Sequence, residues 1–453
     1  MEKAGRDEIV LLMDYFNRGS QDLFDSFSNA EIPVKAIVIN DDGFLPDGVT
    51  NVFEYFLGDY RKCDTCPGKP LYFNQIKVPD YWEISANNTN GSIHDKDRER
   101  GRIFFSHPSH KRFVRLVDYL DEMGNVRFTE HYNKYGALYA RTVFNKNSEK
   151  VNKTYFDTEG REVLVENYVT SDIILNYRGE TFIFKNRTDF ICFFLKLRGW
   201  EDCRIYFNSL SVPFFVSNTL KSPKEEKRDK LFWQEPPRED IPGNMQVIFD
   251  GKANGCESVI VQNLQAYNKL LELGAPVDML KRMGFIYTFH KKNMGKPEAL
   301  ICTNSENVEH LKELVEGLPQ VTFHVTAITE MSAKLLAHEK YDNVIMYPNI
   351  KAVTLDRLFN KCDFYLDINQ GGEIVEATRR AFVYNLLILS FNDTQHGAYT
   401  AHENIFDTTN YSAIIQRLNN LLKDKTVLDE AIATQHLEGS TTSTKEFIYI
   451  CKH

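Results

Sequence analysis

The second half of the chain alternates short apolar runs with segments whose apolar residues recur at helical spacing. The apolar runs predict buried strands, and the helical spacing predicts amphipathic helices that pack on them. The predicted strands cover residues 299–302, 321–327, 343–346, 364–368 and 386–389. The predicted helices cover residues 306–316, 331–336, 354–360, 373–384 and 411–422. This alternation favours a parallel sheet covered by helices on both faces.

The beginning of the chain and its middle predict a second α/β region. Residues 7–29 are predicted to form one amphipathic helix, and residues 34–39 form the first buried strand, which ends in Asn-Asp-Asp-Gly. Residues 189–197 and 264–273 are predicted helices, and residues 279–296 connect the two halves. Four short apolar runs are predicted to be strands or buried helices: residues 204–207, 230–233, 246–249 and 258–261.

Residues 63–185 interrupt this pattern with segments in which apolar and polar residues alternate. Turns that combine Asp or Asn with glycine recur through the region, and glycine supplies the positive φ that tight hairpins need. These turns end at Gly124, Gly136, Gly160 and Gly179. The region is therefore predicted to be a meander of antiparallel strands inserted into the α/β chain.

The composition indicates a globular protein that does not bind nucleic acid. The 453 residues are enough for about three domains. The net charge of -9 disfavours a dedicated nucleic-acid-binding protein. No apolar run is long enough to cross a bilayer, and the acidic N-terminal segment does not resemble a signal peptide.

The cysteines and histidines show no spacing typical of a metal site or a nucleophile. Eight cysteines in a chain of this length do not predict a disulfide framework, and they favour a reducing cytosolic compartment. Cys63 and Cys66 form the only close pair, which is predicted to lie in a loop without metal because two further ligands at suitable spacing are missing. The other cysteines are predicted to pack in the core. We expect neither a metal nor a cofactor.

Residues 362–390 combine a buried strand, a Gly371-Gly372 turn and a helix predicted to begin at Glu373. This order presents backbone N–H groups to a phosphate. It resembles the donor-sugar half of retaining GT-B glycosyltransferases, in which a glycine turn leads into a helix that begins with Glu-Ala. The matching pair in this chain is Glu376-Ala377.

Departures from that pattern predict a degenerate donor site with no catalytic residue. Asn369 stands where these enzymes carry one carboxylate of a pair, and the spacing is one residue short. Glu373 would place a negative charge beside a donor diphosphate, at a cost on the order of 1–4 kcal/mol. Residues 300–310 contain neither arginine nor lysine to bind that diphosphate. Glu376 is expected to pair on the helix surface with an arginine three or four residues later. Three lysines of this half are expected to be ordinary surface residues: Lys334, Lys351 and Lys361.

The aromatic residues of the predicted meander are candidates for binding an acceptor. A sheet with Tyr and Phe at alternate positions can stack on sugar rings, and its open edge can add an extended peptide as a strand. The candidate residues are Tyr132, Tyr135, Tyr139 and Tyr155. The alternative is that the aromatic side chains cover the α/β body.

Four segments together resemble one family, the stabilising subunits of the two-component peptide O-GlcNAc transferase in the accessory Sec pathway of Gram-positive bacteria. These segments are residues 231–236, 242–246, 329–335 and 366–372. The resemblance covers nearly the whole chain and implies a GT-B-like α/β fold with two Rossmann-like domains. The first comprises residues 1–62 and 186–290, and the second comprises residues 291–453 with the C-terminal helices. Residues 63–185 would form the inserted sheet that binds the acceptor.

The same resemblance implies a non-catalytic function that depends on a partner. The chain would stabilise a catalytic glycosyltransferase subunit in a hetero-oligomer. That complex would transfer N-acetylglucosamine from UDP-GlcNAc to serine and threonine of a serine-rich repeat adhesin before export. It would act in the cytoplasm as a peripheral complex at the inner face of the membrane. The alternatives are an active retaining glycosyltransferase that uses UDP-GlcNAc and a lectin-like chaperone for serine-rich polypeptides.

Overall fold

The computed structural model describes residues 5–63 and 66–452, and the chain divides into two compact units. The first unit comprises the chain up to Val261 together with Asn268–Lys281. The second comprises Gln262–Tyr267 and the chain from Arg282 onward. No helix within the described ranges has both the length and the apolar character needed to span a membrane.

The chain begins with a strand, so the prediction of one helix over residues 7–29 was wrong. Strand β1 (Ile9–Tyr15) precedes helix α1 (Arg18–Asn29), and Asn17 caps the helix by accepting the Ser20 N–H at 2.9 Å. The first five residues of β1 are all buried. Such a continuous apolar run is typical of a strand covered on both faces, although some of its residues also satisfy helical spacing. Three elements follow: β2 (Val34–Asn40), β3 (Val49–Asn51) and α2 (Glu54–Leu57).

The inserted region forms an antiparallel meander in which each strand pairs with the next along the chain, which confirms the prediction. Among the described residues it has ten strands. They are β4 (Glu83–Ala86), β5 (Asn90–Asp95), β6 (Arg98–Phe105), β7 (Val114–Leu120), β8 (Val126–Tyr132), β9 (Leu138–Phe144), β10 (Lys150–Phe156), β11 (Glu162–Asn167), β12 (Ile173–Tyr177) and β13 (Glu180–Phe184). The four glycines of the predicted turns all have positive φ: Gly124, Gly136, Gly160 and Gly179.

The chain then returns to the sheet that contains β1. The elements are α3 (Arg187–Leu197), β14 (Arg204–Phe207), α4 (Val212–Leu220), β15 (Asp229–Trp233), α5 (Gly243–Phe249), β16 (Cys256–Val261), α6 (Leu264–Glu272) and β17 (Leu280–Arg282). In the described part of the chain the sheet has seven strands in the order β17-β16-β15-β14-β1-β2-β3. Strand β1 pairs in parallel with both β14 and β2, which makes it a central strand.

The second unit is also Rossmann-like. Its elements are β18 (Glu298–Cys302), α7 (Leu311–Gly317), β19 (Thr322–Thr326), α8 (Ala333–Leu336), β20 (Val344–Tyr347), α9 (Ala352–Lys361), β21 (Phe364–Asp367), α10 (Ala377–Val383), β22 (Leu387–Phe391), β23 (Ile405–Phe406), α11 (Tyr411–Lys423), α12 (Lys425–Glu438) and α13 (Thr444–Lys452). The described strands form a parallel sheet in the order β20-β19-β18-β21-β22-β23. The predicted α/β alternation is confirmed.

Two helices of this unit begin later than their apolar spacing predicts. Helix α7 begins at Leu311 rather than at residue 306, and α10 begins at Ala377 rather than at Glu373. A left-handed residue precedes each helix, with φ of 49° at His310 and 51° at Glu376. Because a left-handed residue cannot continue a right-handed helix, the residues before it form turns.

The cysteines agree with the sequence analysis except for one pair. Cys63 and Cys66 are joined by a disulfide bond, which the prediction of a plain loop did not include. The other six cysteines are buried, as core packing predicts: Cys192, Cys203, Cys256, Cys302, Cys362 and Cys451. Within the described ranges no cluster of His, Cys, Asp and Glu could hold a metal ion.

Candidate functional site

The predicted donor turn lies at the carboxyl end of β21 and is held together by Asn369, whose side chain is buried. Its Oδ1 accepts hydrogen bonds from the Thr303 hydroxyl at 2.7 Å and the Gly371 N–H at 3.1 Å. Its Nδ2 donates to Asn304 Oδ1 at 3.1 Å and to the Gly372 carbonyl oxygen at 3.2 Å. A Cβ at Gly371 would lie 2.0 Å from Asn304 Oδ1, so a larger residue there would displace the Asn304 side chain that accepts from Asn369.

Glu373 places its carboxylate at the start of α10. Its Oε1 accepts the Thr378 N–H at 2.9 Å and the Thr378 hydroxyl at 2.6 Å. Thr378 belongs to the first turn of the helix, so Glu373 caps the helix from outside it. The prediction that Glu373 lies within the first helical turn was wrong. The carboxylate nevertheless binds a backbone N–H of the kind that would otherwise face a phosphate.

Glu376 directly precedes α10 rather than lying on the surface of that helix. Arg380, on the first turns of this helix, forms an ion pair with Asp356. Arg379 donates to the Tyr399 hydroxyl at 2.9 Å. The Glu-Ala pair of the donor pattern is therefore present in the sequence but does not begin a helix with its glutamate.

Replacing Glu373 with alanine is expected to lower the free energy of unfolding by about 1 kcal/mol, because α10 loses its cap. Urea denaturation of the purified variant measures this change. Glu430→Ala is the matched control, since Glu430 is exposed in the middle of α12 and its loss should change stability by no more than about 0.5 kcal/mol. Equal effects of the two substitutions would contradict the capping role of Glu373.

His396 connects the donor turn to Asp367, the last residue of β21. Its Nδ1 lies 2.7 Å from Asp367 Oδ1, and its Nε2 lies 2.8 Å from the Gly371 carbonyl oxygen. Because both partners are acceptors, both ring nitrogens donate only in the imidazolium form. Burial opposes that charge, but the hydrogen bond and charge of Asp367 outweigh it and raise the pKa of His396 above its ordinary value. Burial also raises the pKa of Asp367 to about 6.

Replacing His396 with glutamine is expected to destabilise the protein more near neutral pH than at alkaline pH. Since the folded pKa of His396 is raised, its stabilisation is complete below the unfolded pKa of about 6.5 and is lost as the pH rises through the folded pKa. Thermal midpoints of both proteins, measured from about pH 6.5 to about pH 9, should therefore converge. Above about pH 7 the charge of Asp367 changes little, because the pKa of Asp367 is about 6. A difference that stays constant or widens with pH would contradict the imidazolium form.

Of the three lysines noted in this half, Lys361 lies away from the donor turn. Lys361 lies 3.0 Å from Glu298, at the amino end of β18 and hence at the opposite end of the sheet from the donor turn. Lys334 donates to Asn307 Oδ1 at 2.6 Å. Lys351 is exposed and directly precedes α9.

Two of the four candidate tyrosines in the inserted sheet are buried against the α/β part of the first unit. Tyr139 and Tyr155 are 5% and 2% exposed, and Tyr155 stacks on Phe53 with ring centroids 4.5 Å apart. The alternative that aromatic side chains cover the α/β body therefore holds for this pair. Tyr132 lines a separate groove and donates to a carboxylate oxygen of Glu130 at 2.8 Å. Tyr135, together with Tyr139 and Tyr155, lines a cavity of the first unit.

This cavity, which we call the junction cavity, has a volume of about 100 Å³ and lies between the loops after β2 and the inserted sheet. The α/β loops contribute polar and acidic side chains, and the sheet contributes tyrosines and lysines. The charged and tyrosine residues that line it are Asp41, Glu54, Tyr60, Lys134, Tyr135, Tyr139, Lys153, Tyr155 and Arg187.

One wall of the junction cavity is fixed by contact between the loop after β2 and the β8–β9 hairpin. Gly43 has a φ of 86°, and a Cβ there would lie 2.7 Å from the Tyr132 carbonyl oxygen. The Lys134 N–H donates to the Gly43 carbonyl oxygen at 2.8 Å. The Lys134 ammonium group donates to the Leu45 carbonyl oxygen at 2.8 Å and to Asp47 at 3.0 Å. The loop and the hairpin are therefore held together by both backbone and side chains.

Asp41 and Lys153 bring opposite charges to the junction cavity. The Asp41 carboxylate accepts the Gly43 N–H at 2.8 Å, and burial raises the pKa of Asp41 to about 6. The Lys153 ammonium lies 4.7 Å from the ring centroid of Tyr155, and burial lowers the pKa of Lys153 to about 8. Neither residue was predicted from the sequence. Asp41 belongs to the Asn-Asp-Asp-Gly turn noted after residues 34–39, but no sequence signal distinguishes Lys153 from other strand lysines.

A buried ion pair joins the sheet to the α/β part beside this cavity. Arg187 at the start of α3 donates to the two carboxylate oxygens of Glu166 on β11 at 2.7 and 3.1 Å. Tyr155 donates its hydroxyl to the same carboxylate at 2.9 Å. Arg187 also donates to Asn40 at the end of β2. This network links four elements: β2, β10, β11 and α3.

Three features place the chain in the GT-B glycosyltransferase-like fold class. They are the two Rossmann-like sheets, the inserted meander and the turn at the carboxyl end of β21. The fold is shared with the pneumococcal O-GlcNAc transferase GtfA, solved with UDP and GlcNAc, at a TM-score of 0.53 and 14% identity. That comparison covers 99% of this chain and 98% of that one.

Four family models match successive parts of the chain. They are the GtfB N-terminal domain at residues 10–56, the GtfB middle domain at residues 82–185, the GtfB third domain at residues 187–273 and the GftB/GlyA-F C-terminal domain at residues 299–435. A chain from the crystal structure of a GtfA/B complex bound to UDP and GlcNAc matches with a TM-score of 0.89 and 38% identity. The match covers 97% of this chain and 98% of that chain.

Two relatives carry the name UDP-N-acetylglucosamine–peptide N-acetylglucosaminyltransferase stabilizing protein GtfB. The protein of Streptococcus agalactiae is 40% identical over 442 residues, which is 97% of each chain. The protein of Streptococcus gordonii is 40% identical over 91% of this chain and 92% of its own length. The chain therefore belongs to the GtfB family of glycosyltransferase-stabilising proteins.

Proposed function

We propose that this chain is the non-catalytic, stabilising subunit of a two-component peptide O-GlcNAc transferase and that it helps to bind the acceptor polypeptide. The observation that carries the proposal is the donor turn. Asn369 forms hydrogen bonds with Thr303 and with the Gly372 carbonyl oxygen of the turn, and Glu373 caps α10. The groups that would bind a donor diphosphate therefore already form hydrogen bonds within the chain. The similarity to proteins named as stabilising proteins over nearly the whole chain supports the dependence on a partner.

In this proposal the partner is a catalytic glycosyltransferase subunit, and the acceptor is a serine-rich repeat adhesin. The complex acts in the cytoplasm as part of the accessory Sec pathway, with peripheral association at the inner face of the membrane. Residues 1–62 and 186–290 form the first Rossmann-like domain, residues 63–185 form the acceptor-binding domain, and residues 291–453 form the second Rossmann-like domain. The sequence resemblance supports these assignments.

We place the acceptor along an open groove of about 910 Å³ in the first unit. The groove is lined by Lys134 and Tyr135 of the β8–β9 hairpin and by residues that precede and follow β3. Arg198 also lines it, with its guanidinium 5.0 Å from the ring centroid of Tyr55. Aromatic rings beside charges of both signs suit an extended polar polypeptide rich in hydroxyl groups.

Thermal unfolding of the catalytic subunit, with and without this chain, tests the proposal. A protein that binds only the folded partner stabilises it by mass action, so the partner's thermal midpoint should rise as the chain is titrated in. An unrelated protein at the same concentrations is the control. An unchanged midpoint with both proteins folded would overturn the stabilising function.

A further inference from the structure

We propose that Cys63 and Cys66 form a reversible thiol–disulfide switch that controls the proposed acceptor groove. In the oxidised form the disulfide fixes one wall of the groove, and in the reduced form that wall is looser and binds the acceptor more weakly. This inference rests on the acceptor role proposed above and adds a redox control to it.

The disulfide lies in the connector, the name we give to residues 58–82, which lead from α2 into the first strand of the inserted sheet. Within the connector the sulfur atoms of Cys63 and Cys66 are bonded to each other. Residues on both sides of this pair line the acceptor groove, so the backbone between the two cysteines determines how the parts of this wall are placed. The lining residues are Gly58, Asp59, Arg61 and Gly68.

The connector also packs against the β8–β9 hairpin, which lines the groove as well. Gly136 of this hairpin has a φ of 78°, and a Cβ there would lie 2.5 Å from the Lys69 carbonyl oxygen and 3.0 Å from Pro67 Cγ. Lys134 and Tyr135 directly precede Gly136 and line the groove. The chain that follows the disulfide is therefore in close contact with the hairpin proposed to hold the acceptor.

The chain at and before Cys63 is held by the end of β10 and the turn after it. The Tyr60 hydroxyl donates to the Phe156 carbonyl oxygen, and Cys63 Sγ lies 3.5 Å from the Thr158 carbonyl oxygen. The disulfide thus ties together two stretches of the connector that pack on different hairpins. A disulfide restricts the conformations of the chain that it closes. Without it, ordering this wall around a bound peptide costs more conformational entropy, which weakens binding.

This pair is accessible to a redox partner, whereas the other six cysteines are not. Cys63 and Cys66 are each half-buried, and the other six are buried. Burial also raises the pKa of Cys192 and of Cys302 to about 11, which keeps these thiols protonated and unreactive. Disulfides of cytosolic proteins are usually transient, and many of them sense the redox state. The proposed cytoplasmic location therefore favours a switch over a permanent crosslink.

The switch requires only a small disulfide as oxidant, such as oxidised glutathione. The thiolate of one cysteine attacks a sulfur atom of the oxidant, which forms a mixed disulfide and releases one thiol. The thiolate of the second cysteine then attacks the protein sulfur of that mixed disulfide and releases the second thiol. In total the two cysteines lose two electrons and two protons, and the oxidant is reduced to two thiols. A dithiol reductant reverses both steps.

Fluorescence anisotropy with a labelled serine-rich synthetic peptide tests the inference on the purified full-length chain. We expect reduction with dithiothreitol to weaken peptide binding by about threefold or more, and reoxidation with oxidised glutathione to restore it. Cys63→Ser with Cys66→Ser should bind as the reduced wild-type protein does and should not respond to the reductant. Cys451→Ala is the matched control, because it removes a buried thiol of α13 in the second unit and should keep the full redox response.

Mass spectrometry after brief alkylation of the folded protein follows the switch itself. We expect no cysteine to be alkylated in the oxidised protein, and Cys63 and Cys66 to be alkylated after reduction. The inference is overturned if both thiols stay free in oxidised glutathione, if the two redox forms bind the peptide equally, or if neither form binds it. Should the double variant not fold, the two forms of the wild-type protein carry the test. The partner's thermal midpoint separates the proposals, since the chain can stabilise its partner even if the switch is wrong.

Discussion

Replacing Arg187 with methionine is expected to destabilise the protein by about 3–5 kcal/mol, measured by urea denaturation. The substitution removes both hydrogen bonds from Arg187 to Glu166, whose side chain is only 4% exposed. The carboxylate would remain buried without its counter-charge. The loss is large because the cost of burying Glu166 is no longer offset.

Two further variants show whether this loss comes from the buried pair. Arg161→Met breaks an ion pair with Asp157 in which the arginine is 68% exposed, so it should cost no more than about 1 kcal/mol. Adding Glu166→Gln to Arg187→Met should restore part of the lost stability, because the stranded charge is removed as well. A double variant less stable than Arg187→Met alone would contradict this explanation.

Replacing Phe190 with alanine is the second change with a large expected effect, about 3–5 kcal/mol. Phe190 on α3 is fully buried, and its ring centroid lies 5.5 Å from those of Phe53 and Phe56 and 5.4 Å from that of Phe184. Phe184 belongs to the last strand of the inserted sheet. The substitution therefore opens a void where the sheet packs on the α/β part.

Phe215→Ala is the control for this prediction, since Phe215 on α4 is 46% exposed. Its loss should cost no more than about 1 kcal/mol. Urea denaturation measures the free energy of unfolding of both variants. If Phe190→Ala were as mild as this control, the aromatic cluster would not be what holds the sheet in place.

Most of the fold follows from local sequence patterns. The meander was predictable because alternation and glycine turns occur together, with the positive φ at Gly124 and Gly160 as the structural counterpart. The second α/β half was predictable because its strands are short continuous apolar runs. Both signals depend only on neighbouring residues and on burial.

The errors arise where tertiary contacts override local spacing. Ile9, Leu12 and Met13 fit helical spacing, but pairing of β1 with strands on both sides makes that run a central strand. The start of α10 could not be predicted from apolar spacing, because Val375 and Glu376 both adopt left-handed backbone conformations. Non-glycine residues rarely adopt this conformation, and no sequence pattern marks these two.

The candidate sites were predictable to different extents. Asn369 and Glu373 were identified because a known motif gave each position an expected residue, and the structure adds what each side chain binds instead. The junction cavity could not be predicted, because Asp41 and Lys153 are distant in sequence. They are brought together by the contact of Gly43 with the β8–β9 hairpin.

Transfer of N-acetylglucosamine from UDP-GlcNAc to a Ser/Thr-rich polypeptide is the most direct test of the central claim. The assay uses this chain alone, the catalytic subunit alone and the two together. We expect no transfer above background by this chain alone, and more transfer by the pair than by the catalytic subunit alone. Transfer by this chain alone at a rate comparable to that of the pair would contradict the claim that its donor site is inactive.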